Sequence, residues 1–215
     1  FAYLSSGTWS LSGMERPEPD CSEASRRANL TNEGGFGGTI RYLKNIMGLW
    51  MLQSIRSELG DAYSFARLSG EAETVGRFPA EIDVDDPSFL APQSMIEAVR
   101  EYCGRTGQPV PQTPGELASC VYYGLAARYR DAVRELESLT GVSCPRLYIV
   151  GGGSKDGYLN RLTASAIGKE VSTGPSEGTA VGNLLSQMIA DGIFADAAEA
   201  RAAVRRSFPI GLIQP

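Results

Sequence analysis

The sequence predicts an α/β domain built on a mixed sheet flanked by helices. Three observations point there. The chain opens on a hairpin-like run, Phe1 to Gly13, in which Gly7 lets the backbone reverse between two short strands. Farther on, the apolar run Arg146–Val150 stops at Gly151-Gly152-Gly153 and gives way to Leu159, Leu162 and Ala166 at helical spacing. A second strand and helix follow that unit, and long segments of helical periodicity lie between the two ends. Hairpin strands, helices, then strand–helix–strand–helix is the order of a sheet with both antiparallel and parallel neighbours.

Composition bounds the function. At 215 residues, 42% hydrophobic and 21% charged, the chain supports one sizeable core. A formal net charge of −5 disfavours a nucleic-acid partner. No apolar run reaches the roughly 18 residues that a membrane helix needs, so no membrane partner is expected. The absence of histidine excludes Ser-His-Asp and Cys-His catalysis within these residues, and leaves no histidine to hold a metal. The first residue is Phe1, which opens directly on a strand, so the chain reads as a fragment of a longer one.

In chain order, Tyr3, Leu4, Trp9 and Leu11 mark the two opening strands, and Ser5, Ser6, Thr8 and Ser10 surround their turn. Hydroxyls and backbone N–H groups at such a tip suit phosphate oxygens, or simply populate a hairpin. A short helix is expected around Ser22–Asn29. Four glycines among residues 34–38 argue against a regular element there. Leu43–Leu59 is predicted as one helix, with Ile46, Leu49, Trp50 and Ile55 as its apolar face and Gly60 as its stop. Asn45 and Gln53 would then share one side, about 12 Å apart along the axis, as solvated residues or as ligand contacts.

Ala62–Thr74 and Gln93–Gly104 are further helices, separated by a loop with Glu81, Asp83, Asp85 and Asp86. That acidic run lacks the glycine and terminal glutamate of a calcium loop, so it is read as solvated. Thr113 is the expected cap of a long helix with Pro114 first and Glu116 third, ending near Gly141. After the glycine turn and its helix, Gly168–Thr173 is a strand, Gly174–Gly178 a loop, and Thr179 opens a helix of small residues. Asp196–Ser207 is the last helix, and residues 209–215 are expected to be irregular. None of Cys21, Cys103, Cys120 and Cys144 forms C-x-x-C. Cys103 and Cys120 lie on helices joined by a Pro/Gly-rich connection, so a contact or a disulfide between them is open.

The glycine turn suits a nucleotide. Three glycines clear side chains from the backbone, and the helix behind offers N–H groups and a positive dipole end. Neither G-x-G-x-x-G nor G-x-x-x-x-G-K-[ST] is present, which excludes those two phosphate loops. The glycine turns near the two ends, about 140 residues apart, would converge on one ligand at the sheet edge.

Five stretches occur in a fixed order: Ser5-Ser6-Gly7-Thr8-Trp9-Ser10, Asn29-Leu30-Thr31-Asn32-Glu33-Gly34-Gly35, Leu43-Lys44-Asn45-Ile46-Met47-Gly48-Leu49-Trp50, Val150-Gly151-Gly152-Gly153-Ser154, and Gly174-Pro175-Ser176-Glu177-Gly178-Thr179-Ala180-Val181-Gly182-Asn183. With them the chain resembles the C-terminal domain of the FGGY carbohydrate kinases over nearly its whole length. The resemblance implies an actin-like ATPase (ribonuclease H-like) domain spanning residues 1–215, with ATP and Mg²⁺ bound mainly here. It implies that the sugar, a ketose with L-rhamnulose foremost and L-fuculose or D-xylulose as alternatives, binds through an N-terminal domain absent from this chain; a non-catalytic actin-like nucleotide-binding module is the other reading. By motif match, Thr8 would bond the terminal phosphates, Asn45 and Gln53 would lie along the nucleotide, and Gly152 would pack against the adenosine. The family's catalytic aspartate would lie just before the Ser-Ser-Gly-Thr hairpin, so no catalytic residue and no metal ligand is expected within the chain, which alone would be inactive. Family members with a cysteine pair matching Cys103 and Cys120 favour that contact. A cytoplasmic location is implied as well.

Overall fold

The computed structural model describes all residues, Phe1–Pro215. Seven strands form one sheet: β1 (Ala2–Ser6), β2 (Trp9–Arg16), β3 (Thr31–Gly34), β4 (Ile40–Met47), β5 (Arg146–Val150), β6 (Glu170–Thr173) and β7 (Gly211–Ile213). Their order is β3-β4-β2-β1-β5-β6-β7. The β3–β4, β4–β2, β2–β1 and β6–β7 pairs are antiparallel, whereas β1–β5 and β5–β6 are parallel. The predicted mixed sheet is therefore present, with a parallel joint at its centre.

The helices are α1 (Glu23–Arg27), α2 (Trp50–Leu59), α3 (Phe65–Val75), α4 (Met95–Arg105), α5 (Pro114–Thr140), α6 (Gly157–Ile167), α7 (Gly178–Ala190) and α8 (Ala197–Ser207). The longest, α5, starts as its sequence dictates. The Thr113 hydroxyl accepts from the Glu116 N–H, the Glu116 carboxylate accepts from the Thr113 N–H, and Gly141 closes the helix in the left-handed conformation. At 27 residues it runs about 40 Å along one face of the sheet.

A single cluster of 38 buried residues fills the space between sheet and helices. Three polar residues, Ser10 and Lys44 of the sheet and Ser25 of α1, point into it and are matched there or at its border. The Ser10 hydroxyl bonds the Tyr129 phenol at 2.7 Å, Ser25 bonds Tyr42 at 2.6 Å, and Lys44 pairs with Glu135 of α5. The opposite face of the sheet carries Tyr3, Ser5, Trp9, Leu11, Asn45 and Tyr148 by strand register, with Trp9 and Tyr148 exposed. No side chain of α7 is buried.

Three sequence expectations change. The stretch Leu43–Leu59 is not one helix: its first part is strand β4, and the helix starts only at Trp50. The pairing of β4 with β2 over the whole strand outweighs the helical spacing of its apolar residues, and Lys44 at helix-neutral spacing becomes an inward strand position. Thr31–Gly34, set in the glycine-rich region, forms edge strand β3 against β4, followed by a short 3₁₀ turn at Phe36–Gly38. At the other end, Gly211–Ile213 joins the sheet as an antiparallel edge on β6 instead of remaining irregular. Cys103 and Cys120 are both buried, and both are free thiols.

Candidate functional site

The parallel β1–β5 joint assembles the site. Ser5 stands opposite Val150, so the hairpin tip and the glycine turn leave the sheet side by side. The three glycines divide their work. A Cβ at Gly151 would lie 2.6 Å from the Ser6 carbonyl oxygen, and the backbone there has φ +85°. A Cβ at Gly153 would lie 2.0 Å from Ser6 Oγ. Both glycines therefore serve packing of the turn onto β1. Gly152 alone is exposed with nothing within 4 Å of a would-be Cβ, so it is the position of the turn that a ligand can approach.

The hairpin tip is clamped by the start of α2. The Leu49 N–H donates to the Gly7 carbonyl at 2.8 Å and the Trp50 N–H to the Thr8 carbonyl at 3.1 Å. This needs Gly48, where a Cβ would stand 2.6 Å from the Gly7 oxygen. Ser6 and Ser10 turn into the core, which leaves Thr8 as the exposed hydroxyl of the tip. Its Oγ1 donates to Gln53 Oε1 at 3.3 Å, joining the tip to the side of α2.

Beside this pair lies a cavity of about 450 Å³, lined by Leu49, Leu52 and Gln53 of α2, Phe65, Ala66 and Ser69 of α3, and Gly152, Lys155, Asp156 and Gly157 after β5. Its walls are largely apolar, with a few convergent polar groups, which is the make-up of a small-molecule site. Asp156 caps α6: its Oδ1 accepts from the Leu159 N–H at 3.1 Å, and its Oδ2 accepts from the Tyr122 phenol at 2.7 Å. The α6 N-terminus, expected from sequence as an open anion seat, is thus occupied by the chain's own carboxylate. Burial, then the Asp156 charge, push the Tyr122 pKa well above the usual phenol value. The Arg56 guanidinium sits 5.0 Å from the centre of the Phe65 ring.

Of the four residues singled out from sequence, Gln53 and Gly152 line the cavity and Thr8 is bonded to Gln53. Asn45 is not with them. It lies on β4 opposite Leu11, exposed on the open sheet face, because the helix that would have aligned it with Gln53 does not extend that far. Phe65, Ser69 and Asp156 were not singled out. Phe65 and Ser69 are four apart on one helix, a spacing that carries meaning only once α3 is docked; Asp156 carried a legible signal as an N-cap residue.

Elsewhere, the acidic loop is tied down. Asp85 accepts from the Met47 N–H at 3.0 Å and pairs with Arg128 at 2.5 Å. No group of three or more His, Cys, Asp or Glu side chains is placed to hold a metal ion.

This sheet, with hairpin and glycine turns meeting at one edge of a parallel joint, is an actin-like ATPase fold, and solved structures share it. A xylulose kinase from Lactobacillus acidophilus superposes with a TM-score of 0.69 at 14% identity, over 100% of this chain and 42% of that one. A Plasmodium falciparum glycerol kinase solved with ADP gives 0.68 at 15% identity, over 97% of this chain and 42% of that one. At such identities the likeness is one of fold.

The chain belongs to the FGGY family of carbohydrate kinases, whose C-terminal domain profile matches residues 2–190. Within the family it is similar to rhamnulokinases: 46% identical to that of Bacillus subtilis over 215 residues and 44% identical to that of Bacteroides thetaiotaomicron over 215 residues, in each case 100% of this chain and 44% of the relative. The chain thus spans less than half the length of the curated relatives it matches.

Proposed function

We propose that residues 1–215 form the nucleotide-binding domain of an ATP-dependent carbohydrate kinase, and that the enzyme phosphorylates a ketose, L-rhamnulose foremost. One observation carries the nucleotide part of this reading: Gln53 and Gly152, from separate segments, line one cavity of about 450 Å³, and Thr8 of a third segment bonds Gln53. That volume and its apolar lining suit a base and ribose. Gly152 offers open backbone to the adenosine, and Thr8, at the hairpin tip, offers its hydroxyl to the terminal phosphates. Gln53 bridges the two. Asn45, outside the cavity, is given no nucleotide contact.

The residues present fit MgATP in a specific way. The divalent ion is assigned to the nucleotide it would accompany, and no residue of this chain is assigned as its ligand. When bound, Mg²⁺ neutralises charge on the phosphate oxygens during phosphoryl transfer. The roles assigned to this chain are those of binding and orienting: it holds the base, fixes the hairpin against the phosphates and walls water from the adenosine side. The sugar is assigned to the remainder of the enzyme. Rhamnulokinase likeness over the full chain supports L-rhamnulose; the xylulose kinases share the fold, and L-fuculose and D-xylulose are the competing sugars. No helix is long and apolar enough to cross a membrane, and the likeness to sugar kinases supports a cytoplasmic location.

Calorimetric titration of this chain with MgATP tests the nucleotide reading. Binding that weakens in Gln53→Ala and Thr8→Val supports it; binding unchanged by both refutes it. Assay of the enzyme carrying this domain against a panel of ketoses tests the sugar, and a higher kcat/KM for L-fuculose or D-xylulose overturns L-rhamnulose.

A further inference from the structure

The glycine turn is held in shape by a side chain from the helix behind it. The backbone of Gly151-Gly152-Gly153 has wide conformational freedom, and the short 3₁₀ turn over Gly152–Lys155 is a weak element in its own right. Asn160 of α6 reaches it. Its Nδ2 donates to the Gly153 carbonyl at 3.2 Å and to the Ser154 carbonyl at 3.0 Å. Carbonyl oxygens only accept, so the amide nitrogen faces them and both of its protons are used. Asn160 is 1% exposed.

An amide at that position is costly on local grounds. Asparagine ranks below leucine in helix propensity, and a buried amide must find partners. The geometry supplies the reason. Side chains of a helix lean toward its N-terminus, so one near the start of α6 reaches back over the residues that precede the helix. Those residues are the turn, which brings Gly152, Lys155 and Asp156 to the cavity wall, whereas Asn160 itself does not line the cavity.

Resting on the nucleotide reading above, we propose that Asn160 is a positioning residue for the nucleotide: it holds the Gly152–Lys155 turn in its binding shape before the ligand arrives. Without those two bonds the ligand would have to order three glycines on binding, and the lost entropy would lower affinity.

The test is equilibrium binding of MgADP to this chain and two variants. Asn160→Leu removes both donors at similar size and is expected to weaken MgADP by about tenfold. Asn160→Asp makes the donor titratable. An ionised carboxylate only accepts and would face two carbonyl oxygens, whereas a protonated carboxyl regains one O–H donor. Burial among acceptors raises the pKa of such a carboxyl toward neutrality. The ratio of Asn160→Asp to wild-type affinity is therefore expected to lie within about threefold of one near pH 5 and to fall to about a tenth near pH 9. Other titrations cancel in this ratio. Lys155, Asp156 and Arg161 are common to both chains, and burial pushes the Tyr122 and Tyr158 phenols well above their usual value.

A residue that only stabilised the fold would lower the unfolding midpoint and leave the affinity of the folded chain unchanged. A level ratio between those pH values, or full wild-type affinity in Asn160→Leu, overturns the proposal. Circular dichroism at each pH confines the comparison to folded chain, and the Asn160→Asp titration decides alone if Asn160→Leu does not fold. Failure of the wild-type chain to bind MgADP refutes the nucleotide reading; wild-type binding with a level ratio refutes the role of Asn160 alone.

Discussion

Ser6 Oγ fills the position that a Cβ on Gly153 would need, at 2.0 Å. The hairpin strand and the glycine turn therefore interlock through one hydroxyl and one missing side chain. Gly153→Ala is expected to cost about 1–3 kcal/mol by overpacking, read as a lower midpoint in urea. Ser6→Ala should not rescue it, because the Ser6 Cβ itself lies 2.6 Å from the same point. Only Ser6→Gly in the double variant clears the space and should recover part of the loss.

Thr8, Gln53 and Asn45 are separable by binding. Thr8 is exposed, so Thr8→Val should leave thermal stability within about 0.5 kcal/mol while lowering MgATP affinity roughly tenfold. Gln53→Ala should do the same. Asn45→Ala, exposed on the far sheet face, should alter neither. A loss of nucleotide affinity in Asn45→Ala would mean that the nucleotide extends beyond the cavity.

Lys44 is 3% exposed and pairs with Glu135, whose side chain is 39% exposed. Glu135→Ala strips the partner from a buried ammonium. The expected cost is about 2–3 kcal/mol, below that of a fully buried pair because water reaches Glu135. Lys44→Met in the same background should return most of it, since the remaining site is apolar. Urea unfolding of the single and double variants measures both.

Acid should loosen the junction before β5. Burial raises the Glu137 pKa, but the Cys144 N–H and Lys169 outweigh it and hold the carboxyl below its ordinary range. A group depressed in the folded state stabilises above its unfolded pKa and loses that contribution as pH falls through the folded one. Stability should therefore drop progressively below about pH 5, and Glu137→Gln should flatten that part of the curve.

Thiol labelling should find one fast site. Cys21 is exposed, whereas Cys103, Cys120 and Cys144 are buried. Burial, reinforced by Cys103, pushes the Cys120 thiol up to about 12, and burial raises Cys103 and Cys144 too. A thiolate reagent at neutral pH should modify one cysteine quickly and the other three only on unfolding. Two fast-disappearing thiols without reagent would instead indicate oxidation of the Cys103–Cys120 pair.

What could be read in advance follows the range of the forces involved. The capping box at Thr113 and Glu116 is local, and it was legible. So was the strand–turn–helix at residues 146–167, where β-branched and apolar residues stop at glycines. Strand β4 was not. Tyr42, Lys44 and Ile46 are buried on one face of β4 because β2 and α5 are in place, and their spacing alone also suits a helix. Gly48 marks the true boundary, yet its reason is an approach to Gly7 from 41 residues away. In the site, Gly152 was legible as a class of position, though not its separation from Gly151 and Gly153. Phe65 and Ser69 became visible only when α3 docked on α5.

The parallel β1–β5 joint has a kinetic meaning. It pairs residues 2–5 with residues 147–150, and the cavity beside it is walled by residues 49–69 on one side and 152–157 on the other. Closing so long a loop costs entropy before any contact is gained, and such pairings form slowly. During synthesis the hairpin waits for about 140 residues before its neighbour arrives. The cavity therefore cannot be completed before residue 157 is in place, and ligand binding by this chain reports that the β1–β5 joint has closed.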